Sequence, residues 1–162
     1  MKKLQENKKK IAVVATVPKM IKYFIIPYIL ELSKNYNVDI YTNTNVDVEV
    51  LDHLPNKISI FHIPFERKIN ILKELTCFAL LLKQFNKQNY NLVYSISPKG
   101  GFLSTLVCLF IKIKNIHVFT GQVWITKNIF LKNILILVDK FIARYSYLIF
   151  IDSFSQKEIL VK

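Results

Sequence analysis

The sequence predicts a doubly wound α/β domain, a mostly parallel sheet with helices on both faces, and three observations carry that prediction. Continuous apolar runs of strand length alternate along the chain with stretches of helical periodicity, the pattern of consecutive βαβ units. The only three glycines fall in two segments, Ser97-Pro98-Lys99-Gly100-Gly101 and Thr120-Gly121-Gln122-Val123-Trp124, each directly after a β-branched or aromatic run, so both read as strand-end loops. Finally, 162 residues suit one domain of common size with one compact core.

The elements follow in order. Residues 11–16 read as a strand and 20–35 as a helix that Pro27 should kink. Residues 38–42 and 58–63 read as strands on either side of a polar, asparagine-rich connection. A helix is expected over 69–86, with Leu72, Leu75, Ala79 and Leu82 on one face, then a strand over 92–95 and a helix from Gly101 to about Lys112. A strand at 116–119, a helix over 130–145 and a strand at 148–151 complete the series. Ser155 and Glu158 have the spacing of a capping box that opens one more helix. Residues 1–10 form a basic segment and 11–162 the domain. Lysines followed by an apolar run at the start superficially suggest a signal peptide. However, the run is short, ends in Pro18-Lys19 and lacks a small-residue cleavage pattern, so a first buried strand is the better reading.

Composition limits the function classes. Hydrophobic residues make up 52% of the chain, and mean hydropathy is +0.28. Even so, the uncharged stretch from Gly100 to Ile111 is too short to span a bilayer, which needs about 20 apolar residues. Cys77 and Cys108 sit in apolar helical patterns and read as reduced core residues of a cytoplasmic protein. His53, His62 and His117 are scattered without metal-ligand spacing, and the two in strand patterns read as structural, so no metal and no cofactor is expected. The formal charge of +12 suits an anionic partner: nucleic acid, anionic lipid or a phosphorylated substrate. No aspartate or glutamate occurs from Leu75 to Val138, while seven lysines do, so the region of both glycine segments carries uncompensated positive charge. No groove-reading helix or RNA-stacking motif is present, which makes nucleic acid the weakest of the three.

Two segments could carry chemistry. Lys99, in a strand-to-helix turn before Gly100 and Gly101, could cradle a phosphate together with helix N-terminal amides, although the segment is not a Walker A motif. A plain glycine turn with a solvated lysine reads equally well. In the second segment, Thr120, Gly121 and Gln122 offer hydrogen bonds beside the only tryptophan, Trp124, a pairing suited to a sugar; alternatively Trp124 simply covers the sheet end. Glu66-Arg67, just past a strand end, reads either as an exposed ion pair or as an acceptor contact.

Taken in order, Thr16-Val17-Pro18, residues 24–27, Ile63-Pro64-Phe65-Glu66-Arg67 with Leu72-Lys73-Glu74-Leu75, residues 95–101, residues 117–124 and Asp152-Ser153-Phe154-Ser155-Gln156 cover nearly the whole chain. In these stretches the sequence resembles the N-terminal domain of family 4 retaining glycosyltransferases of the GT-B fold, one Rossmann-like half of such an enzyme. The family relation implies an acceptor-binding domain for a lipid-linked, phosphorylated glycan in capsule, O-antigen or other surface polysaccharide assembly, peripheral at the inner face of the cell membrane. It also implies a nucleotide-sugar donor held mainly by a second domain, whose paired glutamates have no counterpart here, and transfer without an essential metal. Transferred residue by residue, the acceptor contacts are Thr16, Pro18, Glu66, Arg67, Pro98, Lys99, Gly100, Gly101, Thr120, Gly121, Gln122 and Trp124, and no catalytic residue is assigned. Tyr94 and Ile96 stand where many relatives carry histidine before the Pro-Lys segment, so no histidine role transfers there. The expectation is a truncated or split enzyme, inactive alone. The rival reading is a non-catalytic, membrane-recruiting subunit that docks a separate chain carrying the C-terminal half.

Overall fold

The computed structural model describes residues 8–66, 68–121 and 124–161. Six parallel strands form one sheet in the order β3-β2-β1-β4-β5-β6. They are β1 (Lys10–Val14), β2 (Asn37–Thr42), β3 (Ser59–His62), β4 (Leu92–Ile96), β5 (Lys114–Phe119) and β6 (Leu148–Ile151). The expected doubly wound fold is therefore the observed one.

β1 is central because its side chains are buried on both faces. Ala12 and Val14 join the core beneath α3 (Ile71–Gln88) and α4 (Pro98–Ile111), with Tyr41, Leu81, Phe85 and Val107. Val13 and Ala15 point the other way, into a core with Ile21 of α1 (Pro18–Phe24), Ile29 of α2 (Ile26–Asn35) and Ile40. This period-two alternation places a helical layer on each face. α5 (Ile129–Tyr145) packs on α4, and α6 (Phe154–Val161) packs on α5 and β6. The first helical stretch is broken at Ile25, so that Pro27 falls in the first turn of α2, where its missing amide proton leaves no helical hydrogen bond unmade.

Three expectations need correction. The face of α3 that meets the core is Cys77, Leu81 and Phe85, whereas Leu72 and Leu75 are exposed and Leu82 only partly covered. The helix carries two apolar stripes, and the sheet takes the one holding the large aromatic. α6 is capped by Ser153, whose hydroxyl accepts from the Gln156 amide at 3.3 Å, two positions before the cap expected at Ser155. α4 begins at Pro98, so Gly100 and Gly101 are helical and not loop residues. Cys77 and Cys108 are buried and free, and burial pushes the Cys77 thiol up to about 11 and the Cys108 thiol up to about 12. Among the described residues, no helix is long and apolar enough to cross a membrane.

Candidate functional site

The strand order turns between β1 and β4, and open parallel sheets receive ligands at the carboxyl ends of the strands flanking such a point. A cleft of about 180 Å³ lies there, lined by Met20 and Phe24 from α1, Ser97 and Pro98 at the start of α4, and His117, Thr120 and Gly121 from the end of β5. A larger groove, of about 430 Å³, lies around Lys9, Tyr36, Asn91 and Lys114 at the opposite edge. Helix N-termini point away from that second edge, so the smaller cleft is the candidate site.

Ser97 makes the turn from β4 into α4 with φ 78° and ψ 145°, backbone angles that belong almost exclusively to glycine. The strain is local, because Gly100 and Gly101 are already in the first turn of α4. Their lack of a side chain matters for space: a Cβ on Gly101 would lie 2.2 Å from Cε1 of His117, and one on Gly100 would lie 3.0 Å from Oγ of Ser97. No acidic residue and no side-chain cap occupies that first turn, which leaves its amides free to receive a ligand.

Lys99 is not solvated. Its ammonium donates to the carbonyl of Glu66, to the carbonyl of Lys68 at 3.0 Å and to Oε1 of Glu74 at 2.5 Å, which engages all three protons. Glu74 precedes the acid-free stretch in sequence but neutralises its central lysine in space. Glu66 in turn pairs with Lys73 at the surface. Arg67 lies outside the described residues.

The second segment is built differently. Gly121 has φ 96°, with nothing within 4 Å of where a Cβ would stand, and its carbonyl accepts from Nε2 of Gln156 at 3.3 Å. Gln122 lies outside the described residues. Trp124 is only 5% exposed, and its Nε1 donates to Oδ2 of Asp139 at 3.1 Å. The ring offers no open face to a sugar; it anchors the connection to α5. Phe24 and Phe119 line the cleft instead; Phe24 belongs to the 24–27 stretch but is not among the expected acceptor contacts. Burial pushes the Asp139 carboxyl up to about 6, against the downward pull of the Trp124 bond.

At the cleft floor, Ser95 and His117 are direct partners across β4 and β5, and Oγ of Ser95 lies 2.9 Å from Nδ1 of His117. His117 is 1% exposed, and burial holds its imidazole down at about 3, hence neutral. The structural reading of this histidine thus stands, with the added fact that its ring borders the cleft. Of the residues expected to contact an acceptor, Pro98, Thr120 and Gly121 line the cleft. Thr16, whose carbonyl accepts from the Asn43 amide at 3.4 Å, and Pro18, buried at the first turn of α1, stand beside it. Glu66, Lys99, Gly100 and Gly101 form its support. Among the described residues no cluster of histidine, cysteine and carboxylate side chains could hold a metal ion.

No protein-family model and no curated protein matches this sequence. Solved structures do match in fold. A UDP-N-acetylglucosamine 2-epimerase superposes with a TM-score of 0.72 at 21% identity, over 95% of this chain and 44% of that one. Sucrose-phosphate synthase from Thermosynechococcus elongatus gives 0.63 at 11% identity, over 95% and 45%. Acinetobacter baumannii MurG gives 0.64 at 12% identity, over 91% and 42%. The chain therefore has the fold of one half of a GT-B protein and spans less than half the length of each of these three.

Proposed function

We propose that this chain is the acceptor-binding half of a family 4-like, retaining glycosyltransferase, which moves a sugar from a nucleotide sugar to a lipid-linked acceptor in surface polysaccharide assembly. The observation that carries this reading is the cleft at the switch point, bounded by an acid-free helix N-terminus, an aromatic wall and hydrogen-bonding groups. The amides of Lys99 and Gly100 face the acceptor's phosphate, Thr120 and Gly121 its sugar, and Lys99 fixes the segment from behind through Glu74. In the complete enzyme, rate enhancement comes from positioning and from stabilising the departing diphosphate, the latter supplied by a second domain. Exposed Ile69, Ile71 and Leu72 at the start of α3, and Ile129 and Phe130 at the start of α5, support peripheral contact with the membrane that holds such an acceptor, assisted by nearby lysines.

The test is binding and turnover on the purified 162-residue chain. Polyprenyl diphosphate-linked sugar is expected to bind without product forming when nucleotide sugars are added, and the product of the native locus is expected to transfer. Absence of binding, or transfer by the chain alone, contradicts the proposal. The likeness to 2-epimerases favours a second reading, the half of a sugar-nucleotide epimerase. Acceptor-independent conversion of UDP-N-acetylglucosamine by the product of the native locus would select it.

A further inference from the structure

One tautomer of His117 satisfies every group around Ser95. Ser95 has one proton to donate, and two of its neighbours can only accept: Oδ1 of Asn115 at 3.2 Å and the carbonyl of Ile116 at 3.3 Å. The Asn115 amide nitrogen donates in turn to Oγ1 of Thr105 at 2.7 Å and to Oγ of Ser146 at 3.2 Å. With the Ser95 proton on that acceptor side, the bond with His117 runs from Nδ1–H to Oγ and no neighbour is left without its partner. A neutral imidazole protonated on Nδ1 carries a lone pair on Nε2. That nitrogen has no hydrogen-bond partner among the described residues and is not one of the sealed, unpaired buried atoms, while the ring lines the cleft.

We propose that Nε2 of His117 is a fixed hydrogen-bond acceptor that reads one hydroxyl of a neutral sugar ring lodged between Phe24, Met20 and Pro98. This rests on the acceptor-binding reading and sharpens it by dividing the site. The floor, presenting a lone pair, repels an anion and takes a hydroxyl; phosphate stays at the rim, on the free amides of α4. The volume of about 180 Å³ suits one ring and not a nucleotide. Phe24, 48% exposed, gives an aromatic face for the C–H side of the ring. Gly101 lets the first turn of α4 close over the imidazole, whose neutral state is kept by burial.

The experiment uses the 162-residue chain labelled with ¹⁵N at histidine and reads the His117 ring nitrogens by long-range ¹H–¹⁵N correlation. Without ligand, Nδ1 is expected protonated and Nε2 bare. Methyl glycosides of hexoses and N-acetylhexosamines should then shift Nε2, while inorganic phosphate should leave it unmoved. His117→Asn retains a donor toward Ser95 and drops Nε2, and should weaken glycoside binding about tenfold, the worth of one net hydrogen bond. Protonation on Nε2 in the unliganded protein overturns the inference whatever the enzyme does, and this readout needs no variant to fold. A shift with phosphate but not glycosides, no shift with any glycoside, or unweakened binding by His117→Asn also overturns it. In each case, transfer by the complete enzyme would still stand as a separate result.

Discussion

The two glycine segments look alike in sequence and are opposites in construction. The start of α4 is held from several sides: Gly101 against the His117 ring, Lys99 against three oxygens, Ser97 in a backbone conformation that only its surroundings can enforce. The β5–α5 connection is open at its glycine, which has free space where a side chain would stand, and is anchored farther on by one tryptophan–carboxylate bond. One glycine is required by what lies beside it, the other by its own φ. Each segment also buries a titratable group of opposite type, a neutral base in the first and a carboxyl in the second, so pH acts on them with opposite signs.

The largest expected effect follows from that opposition. His117 drops from 6.5 to about 3 on folding, so its contribution is fully present above pH 6.5 and is lost as pH falls toward 3. Complete loss would be on the order of 5 kcal/mol. Asp139 rises from 3.8 to about 6, so the stability it contributes is present below pH 3.8 and is lost as pH rises through 6. Urea midpoints measured from pH 7.5 down to 4 should fall slightly in the wild type, where the two effects nearly cancel, rise in His117→Asn, and fall steeply in Asp139→Asn. Parallel curves for all three proteins would break the comparison.

Gly101→Ala comes next, at about 3 kcal/mol of destabilisation, because the new methyl meets a buried ring that Ser95 holds in place. Combining it with His117→Ala, which removes the whole colliding ring, should cut that cost by more than half in a double-mutant cycle. Lys99→Met keeps the aliphatic stem but leaves Glu74, whose side chain is 22% exposed, with no cation, and should cost about 2 kcal/mol. Its urea midpoint should also become less sensitive to salt, since the variant no longer has the ion pair.

The strands were legible because each is a continuous apolar run, and a run buried on both faces, such as β1, can occupy only the middle of a parallel sheet. The break before Pro27 was legible because the ring forbids the alternative. What could not be read were relations across the chain. Ser95 and His117 meet through the register of β4 and β5, which no local pattern encodes. Glu74 reaches Lys99 over 25 positions, so counting charges within a window overstated the field at that lysine. α3 offered two apolar stripes, and only the shape of the sheet surface chose between them. Trp124 left its expected place at the ligand for a similar reason: an indole N–H finds its acceptor in Asp139 on a helix further along the chain, and the ring goes with it.

The smallest effects make the sharpest test, because one substitution introduces a glycine and the other removes one. Ser97 holds angles suited to glycine and its hydroxyl has no partner among the described residues. Ser97→Gly should therefore relieve about 2 kcal/mol of strain while adding unfolded-chain freedom worth about 1, a net gain of about 1 kcal/mol. Gly121→Ala meets no atom, so its whole cost is a left-handed backbone on an L-residue, again about 1 kcal/mol but as a loss. If Ser97→Gly gains stability while weakening glycoside binding, the strain is holding the cleft in its receiving shape. Should stability rise with binding unchanged, Ser97 is only a turn, and the recognition rests on the His117 floor and the Phe24 wall.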